Sequence, residues 1–547
     1  MIFKSLLPDV DVPDVDLPTF ILSHLQNNTM YGKDPTLVAI TDKTQSLTFG
    51  ALKTQTEAFA SGLHNKLGFR CGDILATVLP NTSFYPIVTM GTQMLGGTVT
   101  TANPAYTPRE LAHQLKVTAA KAIVTSEPTL PAIKEALQLA QLAIPEINIL
   151  TIDGRNNIRE MLMSQPFPRV YLNTRRETES TPSFIVFSSG TSGAPKGVVL
   201  SHRNMVSNAL QFLEADKNDK ALVAASQHKR QRRWLHVLPM FHIYGILISN
   251  VSILTGSINF IMEKFNFPEY CSLIQKHSID TLYIAPPIIL ALAKSPVTEN
   301  YDLSSIVYIN SGAAPLSKEL QTEAQKKLGA FVTQGYGLSE TSPFVSRSMC
   351  SAQKPGSAGQ LCSNTEAMFV DESGKELGVG QVGELCLRGP QIMIGYHKNQ
   401  QATDATIEAN CFLHTGDIGY IDSTGHIYIT DRKKELIKYK GFQIPPAELE
   451  GLLTDHPDVI DSAVIPVYDE ARASELPKAF VVLRPGSNRS GIEKEISEWI
   501  DKRVVNYKRL RGGIEIIDAI PKSATGKILR RVLKGLEADR LKRKSKL

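Results

Sequence analysis

The chain predicts an α/β fold in which a large N-terminal domain precedes a small α+β unit, and three patterns carry that expectation. Short apolar, β-branched runs alternate with amphipathic helical stretches through most of the chain, as at residues 184–187, 281–285, 306–309 and 331–333. Runs apolar on both faces suit parallel strands that helices cover from either side. From about Val382 the pattern becomes alternation broken by glycine turns (GELCLRGP, GHIYITD), which predicts a more antiparallel and partly exposed region. Beyond Asp431 come a basic stretch, a helix opened by Pro445-Pro446, strands over 461–468 and 478–483, and a helix over 491–506. That is a unit of about 110 residues with its boundary at residues 432–434, so the expected domains are 1–433 and 434–547.

With 547 residues, 42% hydrophobic and 21% charged, the chain can bury a large core, and disordered, collagen-like and coiled-coil classes are excluded. The net charge of +5 rests on two short patches, HKRQRR at 228–233 and LKRKSKL at 541–547, each with four basic residues, and the remaining body is slightly acidic. A nucleic-acid groove spread over a domain is therefore not expected. Cys71, Cys271, Cys350, Cys362, Cys386 and Cys411 form no CxxC pair and stand apart from histidine at ligand spacing. Neither zinc nor a disulfide framework is expected, and a reducing compartment fits. The opening MIFKSLLPDVDVPDVD is no signal peptide, and residues 9–16 read as an extended arm. With no 18-residue apolar run, a soluble protein without a transmembrane segment is expected. Ser545-Lys546-Leu547 is the tripeptide read by the peroxisomal import receptor, so that receptor is an expected partner and the peroxisomal matrix the expected location.

The apolar run at 183–187 leads directly into Ser188-Ser189-Gly190-Thr191-Ser192-Gly193-Ala194-Pro195-Lys196-Gly197. Bare amides, four hydroxyls and one lysine around a loop suit a polyphosphate. It is not a Walker A loop, which needs Gly before the Lys and Ser or Thr after it. Alone, such a stretch is equally an ordinary turn.

Five further segments come in order along the chain: Leu238-Pro239-Met240-Phe241-His242-Ile243-Tyr244-Gly245, Gln334-Gly335-Tyr336-Gly337-Leu338-Ser339-Glu340-Thr341, His414-Thr415-Gly416-Asp417, the stretch from Asp431 to Gly441, and Pro521 to Lys527. Together with the first loop they resemble the motifs of the acyl-adenylate-forming superfamily, which includes acyl-CoA synthetases and 4-coumarate-CoA ligases. The resemblance implies an N-terminal domain of mixed parallel sheets wrapped by helices with a distorted β-barrel, and a mobile C-terminal domain. It also implies ATP, Mg²⁺ and coenzyme A as cofactor and co-substrates. Joining a carboxylate to the α-phosphorus of ATP brings two anions together, so countercharge is the chemical requirement.

On this resemblance Ser188, Ser189, Gly190, Thr191, Ser192, Gly193, Lys196 and Thr341 contact phosphates, and Glu340 holds the metal. Tyr336 with Gly337 faces adenine against the wall Gly312-Ala313-Ala314-Pro315, and Asp417 with Arg432 takes the ribose. Lys527 is the adenylation lysine. Lys438 and Gly441 lie at the mouth of a pantetheine tunnel that forms when the small domain turns about a hinge near Lys434. His242 lines the acyl site, whose walls are Tyr244, Ile248, Ile309, Ser311, Gly312, Gly335, Gly337, Pro343 and Phe344. Two features depart from the family pattern: HKRQRR, and Cys411-Phe412-Leu413 where many relatives carry Trp. The implied activity is that of an acid-CoA ligase acting on an aryl, phenylpropanoid-like or fatty acid and releasing AMP and pyrophosphate. A luciferase-type oxygenase, a loader of carrier proteins and a non-catalytic acyl-AMP binder remain alternatives.

Overall fold

In the computed structural model the described residues are 1–27, 34–188, 195–225, 231–432, 435–439, 442–469, 474–487, 491–524 and 526–544. The expected hinge at Lys434, Gly441, the first half of HKRQRR and Ser545-Lys546-Leu547 lie outside them.

Two sheets organise the large part of the chain. Fourteen strands form one open order, in which Arg233–His236, Ile258–Ile261, Thr281–Ile284, Tyr308–Ser311 and Phe331–Gly337 run parallel at one end. From Phe331–Gly337 onward every pairing is antiparallel, through Phe344–Arg347, Gly359–Leu361, His426–Arg432, Leu413–Ile421 and Gly383–Arg388. The seven-stranded second sheet holds Pro182–Ser188 between Thr98–Ala102, to which it is parallel, and Lys196–Ser201, to which it is antiparallel.

The antiparallel region begins earlier than the alternation at Val382 suggests, because Phe344–Arg347 already folds back on its predecessor. It also does not close into the implied barrel. Its outermost strand, Ile2–Lys4, pairs with Glu366–Val370 alone, so the sheet keeps free ends among the described residues. The expected strand at 306–309 starts later, at Tyr308, because Ile306 donates its N–H to Leu303 in a turn.

The small unit has its own apolar core, built from Ile437, Leu449, Leu453, Val464, Val481, Ile496 and Ile500. Val459–Asp469 and Ser474–Leu483 form its central hairpin, with Ile514–Ile516 parallel to the second strand. The helix Pro446–Thr454 starts on proline as expected, and Ile492–Asp501 is shorter than the 491–506 of the sequence expectation because a turn succeeds it at Lys502. No helix among the described residues is long and apolar enough to cross a membrane.

His236, buried on the strand leading to the Leu238 segment, is pushed down to about 4 by desolvation. A histidine that protonates at about 6.5 when unfolded and about 4 when folded contributes stability above the first value and loses it as pH falls toward the second. The stability gap between the native chain and His236→Gln should therefore narrow from pH 7 to pH 4.5 in paired denaturation curves. A gap constant across that window contradicts the buried neutral ring.

Candidate active site

The site is built at the seam where one strand changes partners. Phe331–Gly337 pairs in parallel with Tyr308–Ser311 over its first four residues and antiparallel with Phe344–Arg347 over its last three. Glycine makes the reversal possible: a Cβ on Gly337 would stand 1.8 Å from the Pro343 carbonyl oxygen. Thr341 closes the turn. Its buried Oγ1 donates to the Pro343 carbonyl at 2.6 Å and accepts from the Leu338 N–H at 3.0 Å. This corrects the expectation that Thr341 contacts phosphate, since its hydroxyl is spent on the backbone. Glu340, one residue before it, is half-buried and faces the end of the strand at Ser188.

Tyr336 and Arg432, both partly exposed, converge on the buried Asp417 carboxylate. The Tyr336 hydroxyl donates to Asp417 Oδ2 at 2.6 Å, and Arg432 Nε lies 3.1 Å from Asp417 Oδ1. Asp417 and Arg432 face each other across paired strands, so the backbone register itself makes the ion pair. Burial pushes the Asp417 carboxyl up, while Arg432, the Tyr336 hydrogen bond and Lys527 pull it back. Both oxygens retain lone pairs for further donors. Beside it, the wall Gly312-Ala313-Ala314-Pro315 is anchored by the Gly312 N–H on the Ile284 carbonyl at 3.1 Å and the Leu316 N–H on Gln334 Oε1 at 3.0 Å. Ala313 sits at φ +69°, a left-handed conformation that costs an alanine about 1 kcal/mol and that these anchors impose.

On the phosphate side, Ser188 and Lys196 are opposite partners at the loop end of the hairpin Pro182–Ser188/Lys196–Ser201. Ser189, Gly190, Thr191, Ser192 and Gly193, between them, lie outside the described residues. Ser188 Oγ donates to Glu340 Oε1 at 3.2 Å, and Tyr396 Oη donates to the same oxygen at 3.0 Å. Lys196 Nζ lies 4.8 Å from the centre of the Tyr396 ring. Tyr396 thus links the loop lysine to the acid. The motifs carry no signal for it, because its place depends on Gly395–Tyr396 pairing with Lys196–Ser201.

The small unit reaches this site through Lys527. Its loop is tight: the Ser523 N–H donates to the Lys527 carbonyl at 2.8 Å and the Lys527 N–H to Ser523 Oγ at 3.2 Å. Gly526, at φ +82°, lies so close to the large domain that a Cβ there would stand 3.3 Å from Pro287 Cγ. Arg530, which opens the last helix, anchors the far side of the loop by bonding Glu435 at 2.9 Å and Glu450 at 2.7 Å. Burial and the Arg432 guanidinium lower the Lys527 ammonium, against the pull of Glu435 and Asp417. Lys527 in turn acts on His242, which desolvation and that ammonium push down to about 4. His242 Nδ1 accepts the Tyr244 N–H at 3.3 Å, which assigns the ring proton to Nε2. Lys438 is exposed, its N–H bonded to Glu475 Oε2 at 2.7 Å inside the small unit.

The acyl side is defined by Tyr244, whose Oη donates to Asn310 Oδ1 at 3.0 Å. A Cβ on Gly312 would stand 2.7 Å from its ring, so this glycine leaves room for the aromatic group, and one on Gly335 would stand 3.1 Å from the Ser346 carbonyl oxygen of the neighbouring strand. Ile248 lies one helical turn beyond Tyr244, and Pro343 and Phe344 are buried, with the Phe344 ring 5.3 Å from that of Phe212. Ile309 is a correction. Strand alternation turns Tyr308 and Asn310 toward Tyr244, whereas Ile309 packs in a separate core with Leu282, Ile284 and Val332. Ser311 lies on the Ile309 side by the same alternation. The residue of this strand that bonds Tyr244 is Asn310, one position along from the one that the sequence suggests.

Mixed sheets covered by helices, with a separate α+β unit that brings a lysine near an acid–arginine pair, are the features to set beside known proteins. Residues 28–397 match the AMP-binding enzyme family and residues 448–527 the AMP-binding enzyme C-terminal domain. The chain belongs to the AMP-binding enzyme family. It is 39% identical to 4-coumarate–CoA ligase 3 of Arabidopsis thaliana, covering 97% of this chain and 93% of that one. Probable 4-coumarate–CoA ligase 2 of Dictyostelium discoideum is 36% identical, with 98% of each chain covered. Among solved structures, the anthranilate CoA ligase AuaEII in complex with anthranoyl-AMP shares the fold at TM-score 0.84 and 23% identity, over 94% of this chain and 96% of that one.

Asp417→Ala should abolish the preference for ATP over 2′-deoxy-ATP, a discrimination worth about 1–3 kcal/mol when a buried acceptor selects a hydroxyl. The ratio of kcat/KM for the two nucleotides measures it. An unchanged ratio assigns Asp417 to structure alone.

Proposed function

We propose that the chain joins a carboxylic acid to AMP, using ATP, and passes the acyl group to coenzyme A. One observation carries the reading: the Lys527 loop of the small unit packs against Pro287 of the large one and brings Lys527 within electrostatic reach of Asp417, Arg432 and His242. A cation brought between two anionic reactants lowers the cost of their approach, and an interface of two domains lets it be brought and withdrawn.

The carboxylate oxygen of the acid attacks the α-phosphorus, the bond to the bridging oxygen breaks, and pyrophosphate leaves. Lys527 spans the two anions as they meet, Tyr336 and the 312–315 wall hold the base, and Asp417 with Arg432 orients the ribose. Lys196 and Ser188 face the departing phosphates. Glu340 fits a divalent cation, being a half-buried oxygen donor beside the phosphate loop with phosphate oxygens to complete the set. Such a cation would spread the charge of the triphosphate. In the second step the thiolate sulfur of coenzyme A attacks the acyl carbon and AMP departs. His242, neutral at physiological pH, lets an anionic thiol pass without holding it and offers its Nε2 proton to an acyl oxygen.

The exposed Lys438 serves this second step after the small unit reorients about residues 432–434, which makes 1–433 and 434–547 the moving bodies. Relatives named 4-coumarate–CoA ligase favour an aromatic or phenylpropanoid-like acid over a plain fatty acid.

Lys527→Ala should slow adenylation by about 10²- to 10³-fold, the scale of one lost transition-state contact, yet leave transfer from supplied acyl-AMP largely intact. Lys438→Ala should show the opposite bias. Pyrophosphate exchange and thioester formation from synthetic acyl-AMP separate the two steps, and equal loss in both contradicts the two-orientation scheme.

A further inference from the structure

Arg347 is a second buried cation at the inner end of the acyl side, and the proposed chemistry does not use it. It ends the strand Phe344–Arg347 directly opposite Gly335 and is 2% exposed. Its guanidinium lies 5.3 Å from the centre of the Phe212 ring, which also packs on Phe344. Nη1 donates to Asp216 Oδ1, whereas Nε and Nη2 are buried with no hydrogen-bond partner. Arg232 Nη1 stands 3.8 Å from the other Asp216 oxygen, so two guanidinium groups share this carboxylate, with Asp219 close by on the Cys350 N–H.

A polar chain runs from the acyl mouth toward this point. Tyr244 Oη donates to Asn310 Oδ1, Asn310 Nδ2 to Thr333 Oγ1, and Thr333 Oγ1 to Tyr308 Oη, each at 3.0 Å. Arg347 is within electrostatic reach of both Tyr244 and Tyr308. A hydrocarbon tail ending here would leave Nε and Nη2 unpaired, and a site with buried unpaired donors discriminates strongly against a ligand that cannot satisfy them.

We infer that Arg347 is a specificity-determining residue which selects acids carrying an acceptor oxygen (phenolic, carbonyl or carboxylate) at the end remote from the reacting carboxyl group. Placing that oxygen on the guanidinium sets the reach of the acid and delivers its carboxylate to Lys527. The inference rests on the acid-activating reading of the site and narrows its substrate class. The same guanidinium borders a small cavity with Phe344, Ala215 and Cys362, where a single water is the competing occupant.

The test compares cinnamic acid with 4-hydroxycinnamic and 4-carboxycinnamic acids in pyrophosphate exchange, on the full chain and on Arg347→Met and Arg347→Lys. The native chain is expected to favour at least one oxygenated acid over cinnamic acid by about 10- to 100-fold in kcat/KM, the scale of an unpaired buried donor. Arg347→Met should bring that ratio to within about threefold, chiefly through KM of the oxygenated acid, and Arg347→Lys should retain part of the preference. Both acids are measured on one preparation, so a smaller folded fraction cancels from the ratio. A native chain that activates cinnamic acid equally well, or a ratio untouched by Arg347→Met, overturns the inference while leaving acid activation standing. Failure to activate any carboxylic acid overturns the reading beneath it.

Discussion

The change of partner within Phe331–Gly337 decides where the site can form. A strand that is parallel to one neighbour and antiparallel to the next brings the carboxyl ends of parallel strands beside a tight hairpin, and such switch points leave a crevice that helices do not cover. Gly335 and Gly337 permit the close approach, Thr341 pins the turn, and Glu340 and Tyr336 are thereby presented on either side of it. The phosphate loop comes from the other sheet, and Tyr396 ties the two together at Glu340.

Countercharge is distributed over elements of different attachment. Arg432 is fixed to Asp417 by strand register, whereas Lys527 arrives on a loop of a unit with its own core. The depressed affinity of Lys527 for its proton shows what this clustering costs, since burial and Arg432 both oppose its charge. An anionic reactant between them relieves that opposition, so the site is electrostatically prepared for negative charge rather than for a neutral ligand. Asp417 shows the complementary case, a buried acid whose carboxyl burial pushes up while Arg432, Tyr336 and Lys527 oppose the rise.

The large α/β body, the small α+β unit and the order of the six motifs are legible in the sequence because each is written in local pattern. Tyr336, Asp417, Arg432 and Lys527, each singled out by a motif, come together in one region of the fold. What the sequence hides is set by facing rather than by composition. Ile309 reads as a pocket residue, and Asn310 does not read as the partner of Tyr244, because strand alternation has no visible phase in a run apolar on both sides. Thr341 reads as a ligand because a hydroxyl beside Glu340 cannot reveal that a turn consumes it. Tyr396 and Arg347 depend on strand pairings with Val198 and Gly335, far along the chain in the first case and 12 residues away in the second, and no local signal marks them.

Acid activation of this kind requires that an acid oxygen become bonded to the α-phosphorus of ATP. Turnover of an ¹⁸O-labelled carboxylic acid with ATP and coenzyme A, with the nucleotide product read by mass spectrometry, reports on that bond without intermediary. One labelled oxygen in AMP and none in pyrophosphate is the expected outcome. Label in released phosphate, or AMP that carries no label while thioester accumulates, would refute the adenylate route.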